Sequence, residues 1–165
     1  MAEKIKLKRD THGDSRHAPK DTTFEQFHEA NVNHIKDVQS VMHVLADFLE
    51  HQGNIHDWTK IRFEEEFWHD FQNTLLNNAD FVNATWYQRH INKEKHHPTS
   101  YCHDDINLLD ILEMIVDCVC AGKARSGEVR KMEINDEILK KAFENTVKLI
   151  GELTEVEEEN DERSE

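Results

Sequence analysis

Apolar side chains recur every three or four residues over most of this chain, which is the spacing of one face of an α-helix. The first run predicts a long helix that begins after the polar residues 21–23 and continues to about His51. Later runs predict a second to a fifth helix, at about 59–76, 81–95, 104–124 and 135–153. The third stops before Pro98, whose ring disfavours a helical residue in front of it, and the fourth ends at Gly127.

The helical pattern and the composition together predict an all-α protein with one domain. A chain of 165 residues can bury a hydrophobic core of its own. Its apolar fraction of 37% and charged fraction of 33% suit helices with solvated outer faces. Five glycines and two prolines leave little turn chemistry for a large sheet. We therefore predict a bundle of five or six helices over residues 22–151, after a flexible lead-in at 1–21.

The net charge of −14 is concentrated at the end of the chain. Residues 152–165 hold eight acidic side chains and one basic one, a composition typical of a solvated, disordered tail. The remainder is still acidic, so we expect no binding to polymeric nucleic acid, which depends on displacing cations from phosphates. A small phosphorylated substrate, held by a metal ion and a few basic side chains, is compatible with this charge.

The cysteines and the apolar runs indicate the compartment. Cys102, Cys118 and Cys120 are an odd set without a plausible disulfide framework, which is typical of a reducing environment. No apolar run resembles a signal peptide or is long enough to span a membrane. We expect a cytoplasmic protein with no membrane partner.

The dipeptide formed by His56 and Asp57 is the main candidate for chemistry. An imidazole nitrogen and a carboxylate oxygen can bind a divalent metal side by side, with further ligands supplied by distant segments. His34 is one such candidate because it shares a helix face with Val38 that should pack inward. Simpler explanations exist for both, since Asp57 could cap the second helix and His34 could be an ordinary interior histidine.

Three further histidines lie at and just after the end of the third helix. His90 and His97 are seven residues apart, about two turns, and could share a face with His96 between them. Histidines near a helix C-terminus are also explained by the helix dipole. Three of them within eight positions is more than the dipole requires.

The fourth helix carries a polar stripe on an otherwise apolar surface. Asp110 and Asp117, seven residues apart, lie about 20° out of register, and Glu113 is on the same side. The stripe could be a solvent-facing edge. If the helix is central, the stripe must face a cavity, because a buried unpaired carboxylate is costly and a metal would neutralise it. Lys123 and Arg125 follow, either as ligands for phosphate oxygens or as ordinary surface bases.

In chain order these residues resemble the signature of the HD-domain superfamily of metal-dependent phosphohydrolases. The signature is a histidine, a His-Asp pair, further histidines and a last aspartate, all on a helical bundle. The run from His56 to Lys60 is similar to the family's His-Asp-x-x-Lys form. Residues 30–150 also resemble a group of small proteins, many phage-encoded, with HD-x-[ST]-K, H-H-P and L-x-D-x-x-E-M segments.

The resemblance implies one or two divalent ions (Mn, Fe, Zn or Mg) and hydrolysis of a phosphate ester, a nucleotide above all. The implied metal ligands are His34, His56, Asp57 and Asp117, with His90 and His97 for a second ion or for substrate. The implied catalytic residues are Asp57, Lys60 and Glu113. The implied substrate contacts are Lys60, His96, Asp110, Lys123 and Arg125.

A different class of function is compatible with the same residues. The chain could be a non-catalytic, metal-binding helical protein that engages a host factor, a role that the acidic tail would suit. The sequence leaves open whether the chain forms a homo-oligomer.

Overall fold

The computed structural model describes residues 4–98 and 102–157, and within them the chain is mostly helical. This confirms the all-α class and the predicted number of helices. The elements in chain order are β1 (Ile5–Leu7), α1 (Phe24–Ile55), α2 (Trp58–Arg62), α3 (Glu64–Asn77), α4 (Thr85–Lys93), α5 (Leu108–Ser126), α6 (Asp136–Leu153) and β2 (Thr154–Val156).

The two ends of the described chain pair with each other. β1 and β2 form a parallel pair, with Ile5 opposite Thr154 and Leu7 opposite Val156. The structure therefore differs from the predicted flexible lead-in at 1–21 and from a tail disordered from residue 152. Residues 4–8 alternate like a strand, but the alternation is too brief to predict one, and the pairing depends on backbone groups far apart in the chain. Residues 158–165 of the predicted tail lie outside the described residues.

The described residues form two compact units where the sequence predicts one bundle. Residues up to Asp47 and from Val147 form the first unit, and Phe48–Thr146 form the second. In the second unit, Ile106, Ile111 and Ala142 are buried and make the centre of a hydrophobic cluster. A second set of buried contacts surrounds Trp86 on α4, whose ring stacks on Phe67 of α3 at 3.8 Å.

Some helix boundaries differ from those that the hydrophobic periodicity predicts. The predicted second helix is two helices, α2 and α3, because Phe63 leaves helical geometry with φ −123° and ψ 35°. Its ring lies 4.6 Å beneath the guanidinium of Arg89. The fourth predicted helix begins at Leu108, where Asn107 and Asp110 form a capping box, and it ends at the predicted Gly127 in a left-handed conformation.

The structure bears on the predicted lack of disulfide bonds and of membrane-spanning segments. Cys102, Cys118 and Cys120 are all free. Within the part of the chain that the structure describes, no helix is both long enough and apolar enough to cross a bilayer.

A close approach behind α5 makes Gly122 the position most sensitive to an added methyl group. A Cβ there would lie 2.6 Å from the carbonyl oxygen of Glu128 and 3.2 Å from the amide nitrogen of Arg130. We expect Gly122→Ala to destabilise the protein by about 1–3 kcal/mol, as overpacking does. The control is Gly151→Ala in α6, where nothing lies within 4 Å and alanine should be neutral or stabilising. Urea unfolding measures both, and equal stabilities of the two variants would contradict this packing.

Candidate metal centre

Four segments of the second unit converge on one group of titratable side chains. They are the link between α1 and α2, the C-terminal end of α4, the turn that follows it, and the middle of α5. We call this group the histidine–aspartate cluster. Its members are His56, Asp57, His90, His96, His97 and Asp117.

Asp57 is the central residue of the cluster. Its Oδ1 lies 3.4 Å from Nε2 of His90 and 3.5 Å from Nε2 of His96. Its Oδ2 lies 3.3 Å from Nε2 of His56 and pairs with the ammonium of Lys60. The capping alternative is excluded, because the side chain makes no cap hydrogen bond to α2.

The backbone at Asp57 is held in an uncommon conformation. Its φ of 56° and ψ of 27° lie in the left-handed region, which few residues other than glycine adopt. Such a conformation costs about 1–2 kcal/mol for an L-residue, less where a short polar side chain makes local contacts. Strain of this kind concentrates at functional sites, and here it accompanies a carboxylate that faces three histidines.

The histidines are held by their Nδ1 atoms. Nδ1 of His56 lies 2.8 Å from Oε1 of Glu113, and Nδ1 of His96 lies 3.1 Å from the same oxygen. Nδ1 of His90 lies 2.6 Å from Oγ1 of Thr59. In all three rings an acceptor engages Nδ1 while Nε2 faces Asp57. Metal-ligating histidines are oriented in this way, with the second ring nitrogen donating to a protein acceptor.

The sequence pattern does not single out two residues of this arrangement, Thr59 and Glu94. Thr59 is fully buried, and both its amide and its hydroxyl donate to Oε1 of Glu94, at 3.1 Å and 2.7 Å. Because the hydroxyl proton is committed to Glu94, Oγ1 of Thr59 must accept from His90. The one sequence feature that points to Thr59 is the Ser/Thr position of the HD-x-[ST]-K pattern, which it occupies between His56 and Lys60. Glu94, between two lysines, resembles an ordinary surface acid.

Burial and nearby charges shift the pKa values of the histidines in opposite directions. Burial lowers the pKa of His96, but the carboxylates of Asp57 and Glu113 outweigh it and raise that pKa to about 9. Burial, reinforced by neighbouring histidines, lowers the pKa of His90 to about 3 and that of His97 to about 4. His90 and His97 are therefore neutral at pH 7, which is the form that binds a metal.

The carboxylate at the centre stays ionised. Burial would raise the pKa of Asp57, but His96 and the Lys60 ammonium outweigh it and hold that pKa below its usual range. Burial likewise opposes ionisation of Glu113, and His96 and His56 overcome it. Asp57 of the cluster and Glu113 beside it are therefore both anionic at neutral pH, which is the charge that a divalent cation requires.

Two buried polar atoms of the cluster, Oδ1 of Asp57 and Nε2 of His96, make no hydrogen bond of ordinary geometry and face each other at 3.5 Å as an ion pair. Unpaired buried polar atoms are rare in folded proteins. Ligand atoms of His56, His96 and Asp117 lie within 4.8 Å of one another, and so do those of Asp57, His96 and His97. This mixed set of nitrogen and oxygen donors fits a transition metal, and the two groups overlap at His96, where an ion would displace the proton that the ring holds at pH 7.

Two cavities border the cluster, and among the described residues Asp117 lines both. The first, about 390 Å³, combines the basic residues Lys60, Arg125 and Arg130 with an aromatic wall, and we call it the basic–aromatic cavity. The aromatic wall is made of Phe67, Phe81, Trp86 and Tyr87. The second, about 430 Å³, has apolar wall surface from Leu49, Leu112 and Val116 beside the polar side chains of the cluster, and we call it the apolar cavity.

The structure does not bring three predicted site residues to the cluster. His34 is exposed on α1 in the first unit, and Val38 beside it is 47% exposed, so this face is not the inward one predicted. Asp110 is buried, but its carboxylate accepts the backbone N–H of Asn107 and the side-chain amide of Gln52. It therefore serves the capping box and not a substrate. Lys123 is exposed and is not among the residues that line either cavity.

Comparison with known proteins identifies the family of the chain but no reaction or ligand. Residues 23–156 match the profile of a family described as a family of unknown function, DUF5662. The chain belongs to the DUF5662 family. The matched DUF5662 range contains the whole histidine–aspartate cluster. No curated protein and no solved structure matches the chain.

The carboxylates around His96 predict how its ring titrates in chelator-treated protein. We expect a ring pKa near 9 by NMR, and a lower value in Glu113→Gln, which removes one of the two carboxylates. The folded-state pKa exceeds the ordinary 6.5, so this pairing stabilises the fold below pH 6.5 and is lost as pH rises through about 9. An unchanged His96 titration in Glu113→Gln would disprove the proposed pairing.

The buried hydroxyl of Thr59 can be tested without any metal. Thr59→Val keeps the shape but leaves both Glu94 and Nδ1 of His90 short of a partner, so we expect a loss of about 1–3 kcal/mol. Thr59→Ser keeps the hydroxyl and removes one methyl group, for a loss of about 1 kcal/mol. Urea unfolding compares them. If the valine variant is as stable as the serine variant, the hydroxyl is not the link between Glu94 and His90.

Proposed function

We propose that the chain is a metal-dependent phosphohydrolase that acts on a nucleotide or a similar small phosphate ester. The observation that carries the proposal is that Oδ1 of Asp57 and Nε2 of His96 are buried without a hydrogen bond and face each other at 3.5 Å, among histidines oriented by their opposite nitrogens. The basic–aromatic cavity beside them supports the phosphate ester as substrate. The order of these residues along the chain, similar to that of HD-domain phosphohydrolases, supports the reaction class.

The cluster offers ligands for one ion and a partial set for a second. The first set is His56, His96 and Asp117, and the second is Asp57, His96 and His97. A bound divalent ion supplies Lewis-acid activation of water and of the phosphoryl group. Glu113 orients both His56 and His96 through their Nδ1 atoms, so it acts on the ligands and not on the substrate.

The basic–aromatic cavity provides both halves of a nucleotide site. Lys60, Arg125 and Arg130 can bind phosphate oxygens through charge-assisted hydrogen bonds. The aromatic wall provides apolar surface for a base. The indole N–H of Trp86 is buried without a partner in this wall and can donate to an acceptor on the substrate. A volume of about 390 Å³ is in the range of small-molecule sites.

Lys60 connects the cluster to the cavity. Its ammonium pairs with Oδ2 of Asp57, and the same side chain lines the basic–aromatic cavity. It can therefore stabilise negative charge on a phosphate that is adjacent to the carboxylate ligands. This role needs a positive charge at that place, which the exposed Lys123 does not provide.

The experiment is a screen of metal-loaded protein against nucleotides, cyclic nucleotides and aryl phosphates, with phosphate or nucleoside release as the readout. We expect Asp57→Asn to abolish turnover and to lower the bound metal found by elemental analysis. We expect Lys60→Met to lower kcat/KM by about 10- to 100-fold with metal content unchanged, since it removes a contact to the phosphate. Lys123→Met is the matched control and should retain activity.

The outcomes separate the alternatives. Stoichiometric metal without turnover of any of these esters, in native protein and Asp57→Asn alike, would refute catalysis and favour a non-catalytic metal-binding protein. Less than stoichiometric metal, with a melting temperature that chelators leave unchanged, would refute the metal centre as well.

A further inference from the structure

The apolar cavity contains an unsatisfied polar group that the proposed reaction does not use. Leu49 of α1 and Leu112 and Val116 of α5 form apolar parts of its wall. Gln52 of α1 also lines it, and Oε1 of that side chain is buried without a hydrogen-bond partner. The cavity thus combines apolar wall surface with one buried acceptor that has no hydrogen-bond partner, beside the polar side chains of the histidine–aspartate cluster and Glu113.

The orientation of this acceptor is determined by its other end. Nε2 of Gln52 donates to Oδ1 of Asp110 at 2.8 Å, so the amide nitrogen is committed to the carboxylate. Asp110 is itself immobilised because its Oδ2 accepts the backbone N–H of Asn107 in the capping box of α5. The amide cannot rotate to bury its oxygen against Asp110 without losing this bond. Oε1 is therefore a fixed acceptor that lacks a donor.

The size and the lining of the cavity determine the class of ligand. A volume of about 430 Å³ is that of a small-molecule site and exceeds what one bridging water fills. Apolar walls favour an apolar ligand, and charged ligands would lose their hydration there. A buried acceptor discriminates in favour of a ligand with an N–H or O–H group, since other ligands leave it unpaired.

We infer that the apolar cavity binds a small neutral apolar group that carries one hydrogen-bond donor, and that the donor pairs with Oε1 of Gln52. This group could be a free molecule or the apolar substituent of a phosphate ester, and only the second source rests on the proposed hydrolysis. His56 and Glu113 also line the cavity, so an occupant lies next to the cluster. Asp117 lines both cavities, which places the two ligand subsites on either side of one carboxylate.

Indole and benzofuran form a matched pair of probes, because they share a shape and only indole has an N–H donor. We expect both to bind chelator-treated native protein and to shift the methyl NMR signals of Leu49, Leu112 and Val116. Indole should bind about three- to tenfold more tightly, which is the usual range for one hydrogen bond. Gln52→Leu should abolish the preference while retaining binding.

A variant that fills the cavity from an exposed part of α5 tests the inference independently of Gln52. Val116 is 53% exposed and lines the cavity, so Val116→Phe should weaken both probes at least tenfold without disturbing the core. Ile115→Phe adds the same bulk one residue earlier, at a 40% exposed side chain that does not line the cavity, and should leave binding unchanged. Absence of binding to native protein, equal affinities of the two probes, or equal effects of the two phenylalanine variants would each overturn the inference.

The source of the apolar group is decided by kinetics. If the cavity holds the substituent of an ester, indole should raise KM for an aryl phosphate in metal-loaded protein and Val116→Phe should raise it too. If the ligand is a free molecule, KM should be unaffected by competition. Failure of every ester to react would refute the proposed function and leave the binding result standing, because the probe measurements need neither metal nor turnover.

Discussion

The rest of the site depends on one largely buried carboxylate, Asp57, whose side chain is 15% exposed. A buried negative charge must be compensated, and here the compensation comes from the Lys60 ammonium and from imidazole nitrogens of three segments. The same requirement explains why His90 of α4 and His96 of the following turn face this carboxylate.

The outer groups of the site determine which nitrogen of each histidine faces inward. Glu113 engages His56 and His96, and the Thr59–Glu94 pair engages His90 through a committed hydroxyl proton. Without such partners the rings could present either nitrogen. Buried polar groups, among them Glu94 with 6% of its surface exposed, therefore orient the histidine rings. This arrangement supports a metal centre more strongly than the number of histidines does.

The two cavities differ in the ligand groups that they can bind. The basic–aromatic cavity provides positive charge and ring surface, and the apolar cavity provides hydrophobic surface and one acceptor without a partner, with Asp117 common to both. Two unpaired buried atoms outside the cluster, Nε1 of Trp86 and Oε1 of Gln52, belong to one cavity each. One is a donor and the other an acceptor, so the two cavities select complementary ligand groups.

The sequence by itself determined the helical class, the ends of most helices and the residue types of the site, because periodicity and side-chain chemistry are local properties. It placed His56, Asp57 and Asp117 in one predicted site, and in the structure His56 lies 3.3 Å from Asp57 and 3.6 Å from Asp117. Only the tertiary structure decided which candidates meet. His34 and Asp110 satisfied the same local patterns, yet one is exposed and the other caps a helix. Thr59 and Glu94 gained their role from burial, which depends on contacts between segments that periodicity along one helix does not report.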